Sequence, residues 1–274
     1  MEGPIAVVAG AGDLPRQLAE WARDQGRAYV VVQFQGIELS WAGDHPVINA
    51  QFERPNALFK ALRAHEIPNV VFAGGMRRPK LNPLKFDRVF LKIATTLLPA
   101  LKSGDANTLS MIAKIFEDNG FSIVGAHDLM QGLVSGAGVL TARHPDETEL
   151  ADIARGFDIL RAMSMADVGQ STVVAGGICL GVESIQGSDA LLKFVAQTGQ
   201  GFKIDAAGVY VKGPKQGQDH RMDLPAIGIS TLSAVQAAGL GGIALSAGGV
   251  MIIDQAECIA LADQLGLFIV VVEA

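Results

Sequence analysis

Five short apolar runs, separated by stretches of helical periodicity, constrain the first half of this chain more than any other feature. Ile5–Ala9 is a continuous apolar strand that breaks at Gly10-Ala11-Gly12-Asp13, and Leu14, Leu18, Trp21 and Ala22 then recur at helical spacing up to Gln25. The alternation continues with strands at Tyr29–Phe34, Val47–Ile48 and Asn69–Ala73, a helix from Pro55 to His65, helical stretches at Leu84–Leu101 and Ala106–Asn119, and a strand at Phe121–Gly125. Strands that alternate with helices of this length need crossover connections. They therefore predict a doubly wound, Rossmann-like parallel sheet over residues 1–128.

The rhythm then changes. Residues 129–146 are rich in glycine and polar side chains and read as a linker. Residues 147–274 combine helices at Glu147–Met163, Ser188–Thr198, Thr231–Ala238 and Gln255–Leu265 with strands at Gly208–Val211 and Leu267–Val272. Hairpins are expected around Gly176-Gly177 and Gly248-Gly249, because paired glycines tolerate the positive φ of tight hairpin turns. The prediction is an α/β protein whose second domain is a mixed-sheet α/β unit.

Composition excludes several classes. The chain has 274 residues, 49% of them hydrophobic, with a formal charge of −6 that opposes non-specific nucleic-acid binding. Its two cysteines, Cys179 and Cys258, lie in apolar segments and are expected to be buried thiols; a disulfide framework and a zinc site are excluded. No leader-like n-region and no apolar run of membrane-spanning length is present, so the expected compartment is the cytoplasm.

Several constellations carry chemistry, each with a plainer alternative. The turn Gly10-Ala11-Gly12-Asp13 exposes backbone N–H groups at a helix start and suits either a phosphate or nothing but a tight turn, with Asp13 as cap. Pro15 and the missing carboxylate after the second strand disfavour NAD. Gly74-Gly75-Met76-Arg77-Arg78 ends a parallel strand, where Arg77 could pair with phosphate or simply be solvated. Asp105 is placed to cap a helix or to mark a cluster of N–H groups facing a ligand. Glu183, Asp189, Asp219 and Asp223 are caps and surface charges unless they converge, in which case they suit Mg²⁺ or Mn²⁺. His220 is the one histidine in a reactive-looking context. Phe86–Leu101 is apolar on more than one side: a helix buried between layers, or an acyl-chain surface. The densest polar run, Val211 to Pro225, delivers Lys212, Lys215, Gln218, Arg221 and Asp223 at the end of a buried strand.

In order along the chain, Gly10–Pro15, Ala73–Pro79, Gly104-Asp105, Asp167–Gln170, Glu183–Asp189, Lys212–Lys215 and Asp223–Pro225 resemble the UDP-2,3-diacylglucosamine pyrophosphatase family of the LpxI type, which serves lipid A biosynthesis. The resemblance covers essentially the whole chain. It implies a Mg²⁺-dependent hydrolase that splits its lipid substrate into 2,3-diacylglucosamine 1-phosphate and UMP. It further implies two domains with the ligand cleft between them, and a homodimer with peripheral contact at the inner membrane.

Carried over by motif, Asp223 resembles the family's essential acidic residue. Mg²⁺ would be held by Asp223 with Glu183 or Asp189, and Lys212 and Arg221 would act on phosphate charge. Gly10, Ala11, Gly12, Asp13, Gly74, Gly75, Arg77, Asp105, Ser188, Lys215 and Gln218 would contact substrate. Ala11 and Ser188 stand where Gly and Thr would be expected. A non-catalytic nucleotide-sugar binding protein is the alternative reading.

Overall fold

A computed structural model of the chain describes residues 3–76, 79–100, 105–202 and 206–273. It divides into two compact units. The first is Met1–Gln131 together with Asp219–Asp223, and the second is Gly132–Gln218 with Leu224–Ala274. Five residues from deep inside the second half of the sequence thus belong to the first unit.

The first unit holds strands β1 (Ile5–Ala9), β2 (Tyr29–Phe34), β3 (Val47–Ala50), β4 (Asn69–Ala73) and β5 (Ser122–Ile123) in the order β3-β2-β1-β4-β5, all parallel. Helices α1 (Leu14–Asp24), α2 (Pro55–Ala64), α3 (Arg88–Ala100), α4 (Asp105–Asp118) and α5 (Ala126–Leu129) accompany them. The central strand β1 is buried at every residue, which is why it reads as an unbroken apolar run rather than an alternating one. Phe59, Phe116 and Phe121 pack ring against ring in the core, and Met222 joins them from the Asp219–Asp223 piece. Burial of each such side chain contributes about 1.5–3 kcal/mol. In α3, Phe90 and Leu97 are buried while Leu91 is 59% exposed. The helix therefore keeps one apolar stripe inside and one in solvent.

The second unit is built on a six-stranded mixed sheet. Its strands are β6 (Gly138–Val139), β7 (Ser171–Ala175), β8 (Ile178–Val182), β9 (Val209–Lys212), β11 (Gly242–Ser246) and β13 (Phe268–Val272), in the order β6-β13-β11-β9-β7-β8. A separate two-stranded parallel sheet pairs β10 (Ala226–Ile227) with β12 (Met251–Ile252). Helix α6 (Glu147–Met165) packs on one face of the large sheet through Ile153, Phe157 and Leu160. Gly156 brings it close, because a Cβ there would meet a Val211 methyl at 2.4 Å. The apolar residues of α7 (Ser188–Thr198), α8 (Ile229–Ala237) and α9 (Gln255–Leu265) cluster with Val173, Tyr210, Ile243 and Ile269 from alternate positions of the strands.

Four expectations are corrected. The chain around Gly248-Gly249 is not a hairpin: β11 runs parallel to both neighbours, and β12 leaves for the small sheet. Gly249 answers a packing need instead, since a Cβ there would lie 2.8 Å from the Pro214 ring. Cys179 is exposed on the edge strand β8, whereas Cys258 is buried and its thiol is pushed up to about 11 by that burial. Asp13 makes no side-chain cap to α1. Residues 132–146 are no linker but form part of the second unit: Gly138–Val139 is an edge strand, and Asp146 caps α6 in a reciprocal capping box with Glu149.

Candidate functional site

In the first unit, the glycine turns after β1 and β4 meet because those strands are neighbours. Gly10 N donates to the Ala73 carbonyl, and Ala11 and Gly75 exchange both backbone bonds at 2.8 and 3.0 Å. A Cβ on Gly10 would fall 2.6 Å from the carbonyl oxygens of Gly74 and Gly75. Gly74, at φ +81°, would bring a Cβ to 2.4 Å from the Ala11 oxygen. Close backbone approach thus accounts for the glycines at 10 and 74. The N–H groups of Gly10, Ala11 and Gly75 already have protein acceptors. Gly12 sits at φ +98° with open space beside it, just before α1. Arg77 lies outside the described residues, as does the side chain of Asp105.

The Asp219–Asp223 piece is held to α4 by charge. Arg221 donates to both oxygens of Asp219, at 3.0 and 2.7 Å, and to Glu117 at 2.9 Å. That pairing raises the Arg221 pKa further and depresses the Asp219 carboxyl below the usual carboxylate range, its hydrogen bonds to Arg221 being the first cause. Three of the five guanidinium N–H groups are therefore committed to carboxylates, and Arg221 acts first as a clamp. His220 is exposed, and Asp223 is half-buried, its backbone N–H bonded to the Asp219 carbonyl.

The second unit contains the most concentrated polar cluster. Ser171 lies opposite Lys212 across the β7–β9 ladder, so both side chains leave the sheet on the same face. Glu183 follows β8, and its backbone N–H bonds to the Ser171 carbonyl at 2.8 Å. Gly169 permits this, since a Cβ there would press within 2.2 Å of the Glu183 oxygen. Glu183 Oε2 accepts from Ser171 Oγ at 2.5 Å and from Ser188 Oγ at 2.7 Å. Lys212 Nζ donates to Ser188 Oγ at 2.7 Å. Ser171, Lys212 and Glu183 are all buried. Among the described residues no carboxylate forms an ion pair with Lys212.

Nearby in sequence, Lys215 pairs with Asp167 at 2.8 Å, and Gln218 Oε1 accepts from the Lys215 backbone. These contacts pin the 213–218 loop near the end of α6. Asp189 is exposed in the first turn of α7, where a negative charge complements the helix dipole.

The expected site residues thus divide between the units. Ser188, Lys212 and Glu183 come together in the second, while Arg221 and Asp223 stand in the first. Spacing along the chain does not point to Ser171. The signal that finds it is a register, Ser171 against Lys212, which only strand pairing supplies.

Among the described residues no three His, Cys, Asp or Glu side chains group to hold a metal ion. Magnesium, however, is commonly held by one or two carboxylates together with waters and substrate phosphates. The hard, half-buried carboxylate of Asp223 suits that arrangement. Glu183 does not, because one oxygen already takes two hydroxyls and the Lys212 ammonium stands behind Ser188.

A parallel five-stranded sheet in one unit, and in the other a mixed sheet carrying the cluster of Ser171, Glu183, Ser188 and Lys212, define a two-unit α/β protein. The chain matches the LpxI N-terminal domain over residues 4–133 and the LpxI C-terminal domain over residues 136–270. It is 35% identical over 272 residues to UDP-2,3-diacylglucosamine pyrophosphatase LpxI of Caulobacter vibrioides, an alignment covering 98% of this chain and 97% of that protein. The chain belongs to the LpxI family of enzymes. No helix among its described residues is long and apolar enough to cross a membrane.

Proposed function

We propose that the protein hydrolyses the pyrophosphate bond of UDP-2,3-diacylglucosamine, releasing 2,3-diacylglucosamine 1-phosphate and UMP, in lipid A biosynthesis. The observation that carries this reading is similarity to the Caulobacter pyrophosphatase along nearly the whole chain. The physical demands of the reaction agree with it. Hydrolysis of a pyrophosphate needs positioned positive charge on the phosphoryl oxygens more than it needs covalent chemistry. Lys212 supplies such a charge from a buried position, where it acts more strongly than in water.

In this reading water attacks the sugar-side phosphorus and UMP leaves. Asp223 is the proposed anchor for Mg²⁺ or Mn²⁺, which when bound neutralises phosphoryl charge and makes a bound water more acidic. Lys212 binds a phosphate oxygen, and Ser188 holds the lysine in place. Gly12, at the start of α1, keeps a place on the nucleotide side. The enzyme is proposed to work as a homodimer in the cytoplasm, meeting its lipid at the inner membrane.

The test is divalent-metal-dependent release of UMP from UDP-2,3-diacylglucosamine by the purified full chain. Turnover should stop on chelation and return on adding Mg²⁺ or Mn²⁺. In ¹⁸O water the label should appear in the sugar phosphate; label in UMP overturns the side of attack. Tight binding of UDP-sugar without turnover under any divalent metal would instead favour a nucleotide-sugar binding protein.

A further inference from the structure

Glu183, Ser188 and Lys212 form a chain in which the direction of every hydrogen bond is fixed. A carboxylate only accepts and an ammonium only donates. Ser188 has one hydroxyl proton, and it goes to Glu183 Oε2. Its oxygen is then left to accept, which it does from Lys212 Nζ. Ser171 gives Glu183 Oε2 a second hydroxyl and fixes that oxygen from the sheet side.

Lys212 has three N–H donors, and one goes to Ser188. It is 5% exposed and, among the described residues, has no carboxylate partner. A buried cation with no paired counter-charge costs several kcal/mol unless something else compensates it. Ser188 stands between it and Glu183, so the two charges are bridged by a hydroxyl rather than neutralised by contact. Removing that hydroxyl would free the ammonium to close directly on Glu183.

We propose that Glu183 is a positioning residue and not a cation ligand: through Ser188 it orients the Lys212 ammonium so that its remaining N–H groups meet a substrate phosphate. This rests on the pyrophosphatase reading for the identity of the phosphate, but the geometry of the chain does not.

The experiment is a set of double-mutant cycles on the full-length enzyme, reading kcat/KM for UMP release and the Mg²⁺ concentration giving half-maximal turnover. Glu183→Gln and Ser188→Ala should each lower kcat/KM by about 10- to 100-fold, the scale on which supporting partners act. In a Lys212→Met background the same changes should cost less than about 2-fold, because their effect passes through the ammonium. Half-saturation by Mg²⁺ should not move. Ser188→Thr should recover most of what Ser188→Ala loses, which a lost packing contact does not predict.

Equal losses with and without Lys212 overturn the proposal, and so does a raised Mg²⁺ requirement in Glu183→Gln. Should Glu183→Gln not fold, the Ser188→Ala and Ser188→Thr pair separates the same outcomes. A second readout does not depend on the reaction: millimolar inorganic phosphate should raise the Tm of the wild type and not of Ser188→Ala or Lys212→Met. An unchanged shift in Ser188→Ala sinks the chain of contacts. A wild type that never releases UMP sinks the pyrophosphatase reading, while the phosphate-dependent Tm still judges the chain.

Discussion

The glycine turns of the first unit and the lysine cluster of the second differ in how far their polar groups are already satisfied. At Gly10, Ala11 and Gly75 the backbone donors close on neighbouring carbonyls, so this part of the glycine motif is explained by two loops packing together. At Lys212 the opposite holds. The hydrogen bonds beside it are all directed, yet among the described residues the ammonium has no carboxylate to neutralise it in a buried place. A motif that is complete without a ligand is evidence of architecture. A buried charge with no carboxylate in contact is costly, and it is there that we place the proposed phosphate.

Mutations that separate activity from stability sharpen this contrast. The largest effect is expected for Lys212→Met, which should reduce kcat/KM by about 100- to 1000-fold, the usual loss on removing one positioned charge-stabilising donor. UMP release with unchanged far-UV circular dichroism is the measurement, and full turnover in the variant removes Lys212 from the site.

Gly74→Ala should act on the fold instead. A left-handed backbone costs a non-glycine residue about 1–2 kcal/mol, and the 2.4 Å contact with the Ala11 oxygen adds an overpacking cost of about 1–3 kcal/mol. Denaturant unfolding should therefore show a loss of roughly 3 kcal/mol. Gly12→Ala shares the positive φ without the clash, so its cost should be only about 1–2 kcal/mol by the same measurement. A Gly12→Ala penalty as large as that of Gly74→Ala would mean that packing is not what distinguishes the two glycines.

The smallest effect concerns the clamp on Asp219–Asp223. Arg221 holds the Asp219 carboxyl below its ordinary range, so the pair contributes stability above the unfolded-state value and loses it as pH falls through the depressed folded value. The gap in urea midpoint between wild type and Asp219→Asn should correspond to about 0.2–1 kcal/mol near neutrality and vanish in strong acid. A gap that widens in acid reverses the sign and removes Asp219 as the source.

Much of the fold is legible in the sequence. The β1 run, the β7–β8 hairpin at Gly176-Gly177 and the helices Ser188–Thr198 and Gln255–Leu265 stand where periodicity and turn chemistry put them. Gly248-Gly249 misleads because paired glycines mark a tight hairpin turn only when the flanking strands pair with each other. The polar run from Lys212 to Asp223 is legible as a cluster but not as two. Met222 packs with Phe59 and Phe116 in the core of the first unit, while Lys212 is buried in the second.

By itself the sequence determined the parallel sheet, the two-part organisation and the residue types able to meet a phosphate, because periodicity and composition are local properties of the chain. Only the tertiary structure decided that Gly10 and Gly74 serve loop packing, that Arg221 is a clamp, and that Glu183 reaches Lys212 through Ser188. Those facts depend on strand register and on which hydrogen-bonding groups find partners far away in sequence, and neither is recorded in the order of the residues.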